Sequence, residues 1–552
     1  MVERRIGLLF ACFLALLALA VARTAWLGTV KGDRLAQAAS TQQISDVTVP
    51  ARRGEIVDRK GVELAVTEPA ADVSATPYLV KAPDRVAARL APLLRRPQDE
   101  IATKLKGRGS GFAYLARGIP ASAAQRVTEL RLPGIDVAPG GKRTYPRDWL
   151  ASQLLGAVGV DGKGLAGLEY ARENVLHGRD GRRRSVNSGL GTSVSVRDTQ
   201  RAQPGARLQL TIDAAIQDKV EEVLVGVGKT FSPKGATAVV MDPRNGEVLA
   251  LANWPRVNAN APAAAPAYAT QDRAVGFTYE PGSTFKAFTV AGALSEGVVT
   301  PTTRFDLPPK IQVADRIIGE SHDRGPEVLN TAQILAQSSN VGAVKIGLAL
   351  KAKRFDRWAR RFGFGRKTGA DIPGEERGLL LPLDKYSGST MGNLPIGQGL
   401  SVTPLQMATA YSALANGGTL RPPHVVGSIG GRVVPTPRGR RVVSAKVAGQ
   451  VRQMLRGVLK AGGTASEVEI PGYELAGKTG TANKFDEKLG QYSQADYVSS
   501  FVGFAPARDP QLLISVMVDE PHGAIYGSEV AAPAFQKIAA FALPYLEIPP
   551  TG

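Results

Sequence analysis

The run Ile6 to Ala22, IGLLFACFLALLALAVA, carries no charge and is almost wholly apolar. At ~1.5 Å per residue it just spans a bilayer core of ~30 Å, and Thr24 to Leu27 extend it. Arg4 and Arg5 precede it, a bias that keeps residues 1–5 in the cytoplasm and sends everything downstream across the membrane. Trp26 stands where an interfacial aromatic anchors. The small-x-small triplet Ala20-Val21-Ala22 also fits a cleaved signal peptide, but the apolar run is longer than a usual signal core and favours an uncleaved anchor over 6–27. No second run of this length follows, so one pass is expected. Cys12 is the only cysteine, which rules out an intramolecular disulfide and Cys-rich zinc or iron–sulfur sites. It stands too early in the run for a lipoprotein cysteine and reads as a small apolar residue of a membrane helix.

Beyond the anchor the chain is ordinary globular material. Of 552 residues 43% are hydrophobic and 21% charged, which excludes wholesale disorder and leaves room for two to four domains. Lys and Arg total 68 against 49 Asp and Glu, a net +19. Such a balance suits an anionic partner, or a solvated Arg-rich surface. The four histidines, His177, His322, His424 and His522, offer no His-x-x-x-His metal pair.

Residues 28–50 are polar and read as helical or extended. Residues 83–131 carry helical patterns such as Val86, Leu90, Leu93 and Leu94. The Arg-, Gly- and Ser-rich stretch 178–205 reads as extended ribbon or linker. A new unit opens near Pro204-Gly205. Leu208 to Ile212 alternates like a strand, and Asp213 caps a helix with the stripe Ile216, Val220, Val223, Leu224, Val227. Residues 236–241 and 247–252 form a hairpin across Asp242-Pro-Arg-Asn-Gly246, and 498–504 with 512–518 form another. Residues 283–296, 331–350 and 532–541 read as helices, and 255–268 as a loop. Strands at both ends of this unit with helices between predict a sheet whose edges are distant in sequence.

Three short motifs carry chemistry. Ser283-Thr-Phe-Lys286 follows Tyr279-Glu-Pro-Gly282, and Pro-Gly ends the incoming loop. Ser283 falls in the first turn of a helix, where unpaired N–H groups and the helix dipole favour developing negative charge. Lys286, three residues on, shares its face and can take the serine proton only if burial or a nearby cation lowers its pKa. The triplet Ser338-Ser339-Asn340 interrupts an apolar helical stretch and sets a hydroxyl two residues from a carboxamide, suited to relaying a proton and holding an amide. Ser185-Val186-Asn187 has the same spelling but lies in the Arg-rich stretch. Lys-Thr-Gly occurs twice. Lys367-Thr368-Gly369 sits among Gly and Pro and reads as a loop. Lys478-Thr479-Gly480-Thr481 precedes the terminal hairpin and reads as a sheet-edge strand, able to offer an ammonium, two hydroxyls and free backbone groups to a peptide carboxylate, with Gly480 permitting close approach. The second copy is the candidate. Each motif alone is weak, a capping serine with a solvated lysine being the commoner reading.

Together and in this order they make the set shared by penicillin-binding proteins and class A β-lactamases. The wider strings Tyr279-Glu-Pro-Gly-Ser-Thr-Phe-Lys286, Ile396-Gly-Gln-Gly-Leu-Ser-Val-Thr-Pro-Leu-Gln406, Ala415-Asn-Gly-Gly418 and Lys478-Thr-Gly-Thr-Ala482 resemble the class B penicillin-binding proteins. Upstream, Arg53-Gly-Glu-Ile-Val-Asp-Arg59 and Gly167-Leu-Glu-Tyr170 resemble that family's N-terminal pedestal. The resemblance covers about residues 40–545.

It implies an α+β chain: a membrane helix over 6–27, an elongated mixed pedestal of the dimerisation type over 28–205, and a transpeptidase domain over 206–545 with an antiparallel sheet and helices on both faces, then a tail over 546–552. It also implies roles. Ser283 attacks the penultimate D-alanine carbonyl of a stem peptide, Lys286 is the base, and Ser338 relays the proton to the leaving D-alanine. Asn340 binds the peptide amide and steadies Lys286. Lys478, Thr479 and Thr481 hold the terminal carboxylate, and the Lys478 charge keeps Lys286 neutral. The N–H groups of Ser283 and Thr481 form an oxyanion hole. β-Lactams acylate Ser283, and no metal, cofactor or nucleic acid is implied.

A β-lactamase shares these motifs but needs neither an anchor nor ~200 residues before its nucleophile. A bifunctional class A enzyme would carry a Glu-Asp-x-x-Phe motif after the anchor, and none is present. Polymerisation then falls to a partner, expected to be a multispanning glycosyltransferase of the division machinery. A β-lactam sensor needs cytoplasmic signalling machinery, for which residues 1–5 leave no room. Chain length, one anchor and no large insertions resemble the septal transpeptidase, with a shape or sporulation paralogue as the alternative. The Arg182 to Arg184 run matches no family feature.

Overall fold

A computed structural model of the chain describes residues 2–31, 44–107, 112–187, 193–486 and 490–551. The reading of 28–50 as helical or extended thus falls partly outside the described residues. The helix Val2–Thr29 contains the apolar run. Among the described residues it is the one helix long and apolar enough to cross a membrane.

The chain forms two compact units, one of residues 1–52, 69–142 and 178–205, the other of 53–68, 143–177 and 206–552. In the first, the stretch read as ribbon is one: Gly181–Asn187 pairs antiparallel with Ile44–Val49 and with Ser193–Gln200. Residues Ala70 to Ala75 pair with the strand Ala113–Pro120. Helices Pro83–Leu94, Gln98–Lys106 and Ala121–Glu129 bury Leu90, Ile101, Leu105 and Val127 in a core shared with Val73 and Leu115. The helical reading of 83–131 missed that strand, whose core-facing Leu115 and Ile119 also suit a helix spacing of four.

The second unit is built on a five-stranded antiparallel sheet in the order Val248–Trp254, Gly235–Met241, Leu512–Asp519, Gln491–Ala505, Ala476–Asp486. Both predicted hairpins are present. The period of two splits each strand between two cores. Ala236, Ala238 and Val240, with Ile514, Val516 and Val518, pack with helices Ala214–Phe231 and Ala532–Tyr545. Val239, Met241, Leu513 and Met517 face the opposite core, where helix Pro404–Ala415 is buried on every side. Helices therefore cover both faces. The Lys478-Thr479-Gly480 segment lies on the edge strand, as its context predicts.

The cut between units does not fall once, near Gly205. Segments 53–68 and 143–177 cluster with the sheet unit. A buried ion network joins these two segments to each other. Glu169 is fully buried and takes Arg53 Nε at 2.6 Å and Arg143 Nε at 2.7 Å, with Arg53 Nη2 on its carbonyl at 2.7 Å. Arg53 also reaches Glu173 at 2.7 Å, and Arg143 donates to the Gly54 carbonyl at 2.8 Å. The two upstream family strings thus meet as one charge cluster. Asp58 then ties the segment onward by accepting from Ala214 N at 3.0 Å, at the start of the sheet unit's first helix.

Removing one partner of a buried ion cluster leaves the others uncompensated, a cost of about 3–5 kcal/mol. Glu169→Gln is therefore expected to lower the melting temperature of the detergent-solubilised chain strongly, while Glu129→Gln, on an exposed helix end, leaves it within error. Equal melting temperatures for Glu169→Gln and wild type would show that the network does not hold these segments.

Candidate active site

Ser283 lies on a 3-10 turn, Gly282–Phe285, that runs straight into the α-helix Lys286–Ser295. The first turn is thus tighter than the α-helical turn expected from sequence. The preceding string, Tyr279 to Gly282, is explained by packing. Tyr279 pairs with Val402 through both backbone bonds at 2.9 Å, and Gly282 N donates to the Gly397 carbonyl at 3.0 Å. A side chain at Gly397 would place its Cβ 2.0 Å from the Gly282 oxygen. Glu280 accepts from Gly399 N at 2.9 Å and Tyr492 Oη at 3.1 Å. The strings 279–286 and 396–406 are therefore two sides of one contact. Tyr411, on the helix that follows, closes it by donating to the Thr284 carbonyl at 2.6 Å.

Lys286 is 1% exposed. Its Nζ donates to the Ser338 carbonyl at 2.5 Å, Asn340 Oδ1 at 2.7 Å and Ser338 Oγ at 3.2 Å. Burial lowers its pKa to about 7; the carboxylate of Glu320 works against this and the guanidinium of Arg324 with it. Among the described residues the Ser283 hydroxyl has no hydrogen-bond partner. Ser283 and Lys286 share a face as expected, but the amine is engaged by the second motif.

The expected single helix over 331–350 is broken into Thr331–Ala336 and Asn340–Leu350. The break is the motif. Ser338 takes φ +61°, an unfavourable conformation for a residue with a Cβ, and so turns its carbonyl onto Lys286. Ser339 caps the second helix through Gly342 N at 2.9 Å. Glu320, which no spacing in the sequence marks, completes the cap. It accepts from Ser339 Oγ at 2.6 Å, Asn340 N at 2.7 Å and Val341 N at 3.1 Å. Gly319 O takes the Asn340 amide at 2.9 Å and so aims its Oδ1 at Lys286. The negative carboxylate at a helix N-terminus is favourable on its own account.

Lys478 is fully buried. It donates weakly to its neighbour Thr479, at 3.2 Å to O and 3.3 Å to Oγ1. Burial drives its pKa well down, and repulsion from Lys286 adds to this. Burial is the first cause of the lowered pKa at Lys286, and the Lys286–Lys478 repulsion is mutual. Thr479 Oγ1 bonds Thr464 Oγ1 at 2.8 Å, and Thr481 Oγ1 accepts from Gly527 N at 3.1 Å. Gly480 has a packing reason as well. A Cβ there would lie 2.4 Å from Ser500 Oγ and 2.9 Å from both the Pro281 carbonyl and Thr284 Cγ2. The missing side chain lets the edge strand touch the turn that carries Ser283.

Ser283, Ser338, Asn340, Thr479 and Thr481 line one cleft of about 740 Å³, with Lys286 and Lys478 buried beside it. Glu320, His322, Arg316 and Arg324 form a wall that sequence reasoning missed. They come from the 304–330 segment, which carries no motif. Lys367-Thr368-Gly369 is a loop away from this cleft, its Thr368 N and Oγ1 both bonded to Glu375 at 2.5 Å. The Ser185-Val186-Asn187 segment belongs to the other unit.

Overpacking of this kind costs about 1–3 kcal/mol. Gly480→Ala is expected to lower the melting temperature and to shift the Ser283 turn, which a crystal structure of the variant shows directly. A wild-type melting temperature and an unmoved turn would mean that strand and turn are not in contact.

Comparison with known proteins bears on this arrangement. The family model of the penicillin-binding protein transpeptidase domain matches residues 236–540, and that of the penicillin-binding protein dimerisation domain matches 48–210. The chain is 33% identical over 557 residues to the probable peptidoglycan D,D-transpeptidase PenA of Neisseria meningitidis, covering 99% of this chain and 94% of that protein. It is 33% identical over 542 residues to the stage V sporulation protein D of Bacillus subtilis, covering 96% and 83%. The crystal structure of penicillin binding protein 3 from Mycobacterium tuberculosis complexed with aztreonam superposes with a TM-score of 0.71 at 30% identity, over 92% of this chain and 98% of that one. Two domain models in tandem and near-full-length relatives leave one assignment: the chain belongs to the class B penicillin-binding proteins, a family of peptidoglycan D,D-transpeptidases.

Proposed function

We propose that the chain cross-links peptidoglycan stem peptides through an acyl-enzyme on Ser283. The observation that carries this is the buried Lys286 amine, its pKa near 7, bonded to Ser338 and Asn340 beside the cleft that Ser283 lines. Neutral Lys286 takes the Ser283 proton as Oγ attacks the penultimate D-alanine carbonyl. Backbone N–H groups of Ser283 and Thr481 take the oxyanion, an element worth ~10²–10³ in rate per donor. Ser338 Oγ, 3.2 Å from Lys286 Nζ, passes a proton to the departing D-alanine nitrogen as the C–N bond breaks. An amine of a neighbouring stem peptide then attacks the ester and Ser283 recovers its proton; water in its place gives D,D-carboxypeptidase side activity. Asn340 holds the peptide amide, and Lys478 with Thr479 and Thr481 holds the terminal carboxylate, Gly480 setting the strand against the serine turn.

β-Lactams enter as mimics of the same peptide, a reading supported by the aztreonam complex of the M. tuberculosis relative. The helix Val2–Thr29 anchors the chain with its N-terminus inside and the catalytic unit outside the cytoplasmic membrane, consistent with Arg4 and Arg5. In sequence, 28–205 is assigned as the non-catalytic domain and 206–545 as the transpeptidase domain, although segments 53–68 and 143–177 cluster with the sheet unit. A septal role, with a multispanning glycosyltransferase of the divisome as polymerase, rests on chain length, the single anchor and the lack of large insertions. Equal identity to a sporulation protein sustains the paralogue reading.

Intact-mass spectrometry of the full chain with a penicillin tests the assignment. Wild type is expected to gain one adduct and Ser283→Ala none. Lys478→Ala should acylate about 10–100-fold more slowly, the loss of one hydrogen bond to a charged group at ~1.5–3 kcal/mol. An adduct on Ser283→Ala would remove the nucleophile from the reading.

The pH dependence has a definite sign. The folded pKa of Lys286 is depressed to about 7 from 10.5, so its neutral form grows as pH rises through 7. The acylation rate constant should climb about tenfold per unit below that value and level above it. A flat rate between pH 5.5 and 8.5 would exclude Lys286 as the base.

A further inference from the structure

The first Lys-Thr-Gly copy, unused by the acyl-transfer site, borders a second cavity of about 240 Å³. Five cationic side chains line it: Arg366, Lys367, Arg421, Arg438 and Arg440. No acidic residue does. Among the described residues none of the five makes an ion pair, whereas Arg53, Arg143, Arg244 and Arg273 elsewhere in the unit are each paired with a carboxylate at 2.6–2.7 Å. Glu375 of the same loop is engaged by Thr368 N and Oγ1 and by Gly369 N.

The fold holds these cations together against their repulsion. The short ribbon Thr419–Leu420 with Arg440–Arg441 sets Arg440 opposite Leu420. A Cβ on Gly439 would fall 2.6 Å from Thr419 Cγ2 and 2.7 Å from Arg421 Cγ, so glycine alone lets the 438–440 segment lie against Arg421. Among the described residues Arg421 donates only to the Pro437 carbonyl, at 3.3 Å, and its Nε is buried without a partner. The pKa of Arg440 is pushed down by burial and by the charges of Arg366 and Arg361. Phe362, Leu420 and Pro422 add apolar surface to the lining, while Arg366, Lys367, Arg438 and Arg440 are themselves exposed and within reach of a ligand from solvent.

We propose that this pocket is a binding site, separate from the acylation cleft, for an anionic phosphate group. A phosphate presents at least two free oxygens in a tetrahedral array, which more than one guanidinium fork can engage at once. The cavity is of headgroup size, too small for a folded partner. The chemistry is shared by a free or terminal phosphate and by the phosphodiester of a lipid headgroup.

Calorimetric titration of the full chain in nonionic detergent distinguishes these sources. The probes are inorganic pyrophosphate, glycerophosphoglycerol (a deacylated anionic headgroup) and glycerophosphocholine, each at low salt and at 0.15 M. Wild type is expected to bind pyrophosphate at one equivalent. The variant Arg438→Gln/Arg440→Gln should bind at least about tenfold more weakly with an unchanged melting temperature, each lost charged hydrogen bond being worth about that factor. The control Lys446→Gln/Lys537→Gln, which removes two exposed lysines elsewhere, should bind as wild type. Pyrophosphate binding without glycerophosphoglycerol binding assigns a free or terminal phosphate. Comparable binding of both, with glycerophosphocholine silent, assigns the phosphodiester headgroup. No binding of either anion by wild type, or equal weakening in the two double variants, would overturn the proposal, the second by showing diffuse attraction to the +19 chain. Should the arginine variant melt early, Arg421→Lys keeps the charge but removes the fork, and undiminished binding by it would equally overturn the site.

Discussion

Lys286 sits where an ammonium ion is badly placed, and the arrangement around it follows from that. Holding its pKa at about 7 rather than 10.5 costs the fold on the order of 5 kcal/mol. The sign is fixed by linkage: the unfolded chain binds this proton more tightly, so the cost is full below pH 7 and fades as pH rises toward 10.5. The three acceptors on Nζ all come from the 338–340 turn, and they are what makes the buried amine tolerable. That turn exists only because a helix is broken and Ser338 adopts a left-handed backbone. Glu320 then stabilises the restarted helix while supplying the one negative charge that limits how far the lysine pKa falls.

The second organising feature is close backbone contact. Gly282 meets Gly397, and Gly480 meets Pro281 and Ser500. Gly527 lies within the same approach, since a Cβ there would stand 2.5 Å from the Gly480 oxygen. These contacts lock the serine turn between the edge strand and the 396–406 segment. Side chains cannot interdigitate at such distances, so the geometry of the cleft is set by main chain and is correspondingly stiff. Such stiffness suits the acyl transfer we propose, because oxyanion donors work by being in place before the charge develops.

Much of this was legible. The hairpins at 235–254 and 491–519 follow from alternation and from the turn residues of 242–246 and 507–510, and the edge position of Lys478 from its place before the terminal strands. The choice between the two Lys-Thr-Gly copies also followed from context, since a Gly- and Pro-rich setting makes a loop. Other features were not legible. The strand 113–120 shares apolar spacing with a helix. The joining of segments 53–68 and 143–177 rests on Glu169, which meets Arg53 and Arg143 only after folding; separations of 116 and 26 residues leave no periodic trace. Glu320 lies twenty residues before Asn340, in a segment with no patterned neighbours.

By itself the sequence determined the elements whose signal is local: the membrane-length apolar helix, the alternating strands, the capped helices, and the short motifs that the fold gathers around one cleft. Periodicity and hydrogen-bond chemistry act over a few residues, so they are written in order along the chain. Tertiary structure alone decided the electrostatics of the site. Whether a lysine is charged depends on how much water and which neighbours surround it, and those neighbours arrive from residues 320, 324, 338 and 340. The same holds for the five unpaired cations around Lys367, which in the sequence are scattered basic residues and in the fold share one cavity.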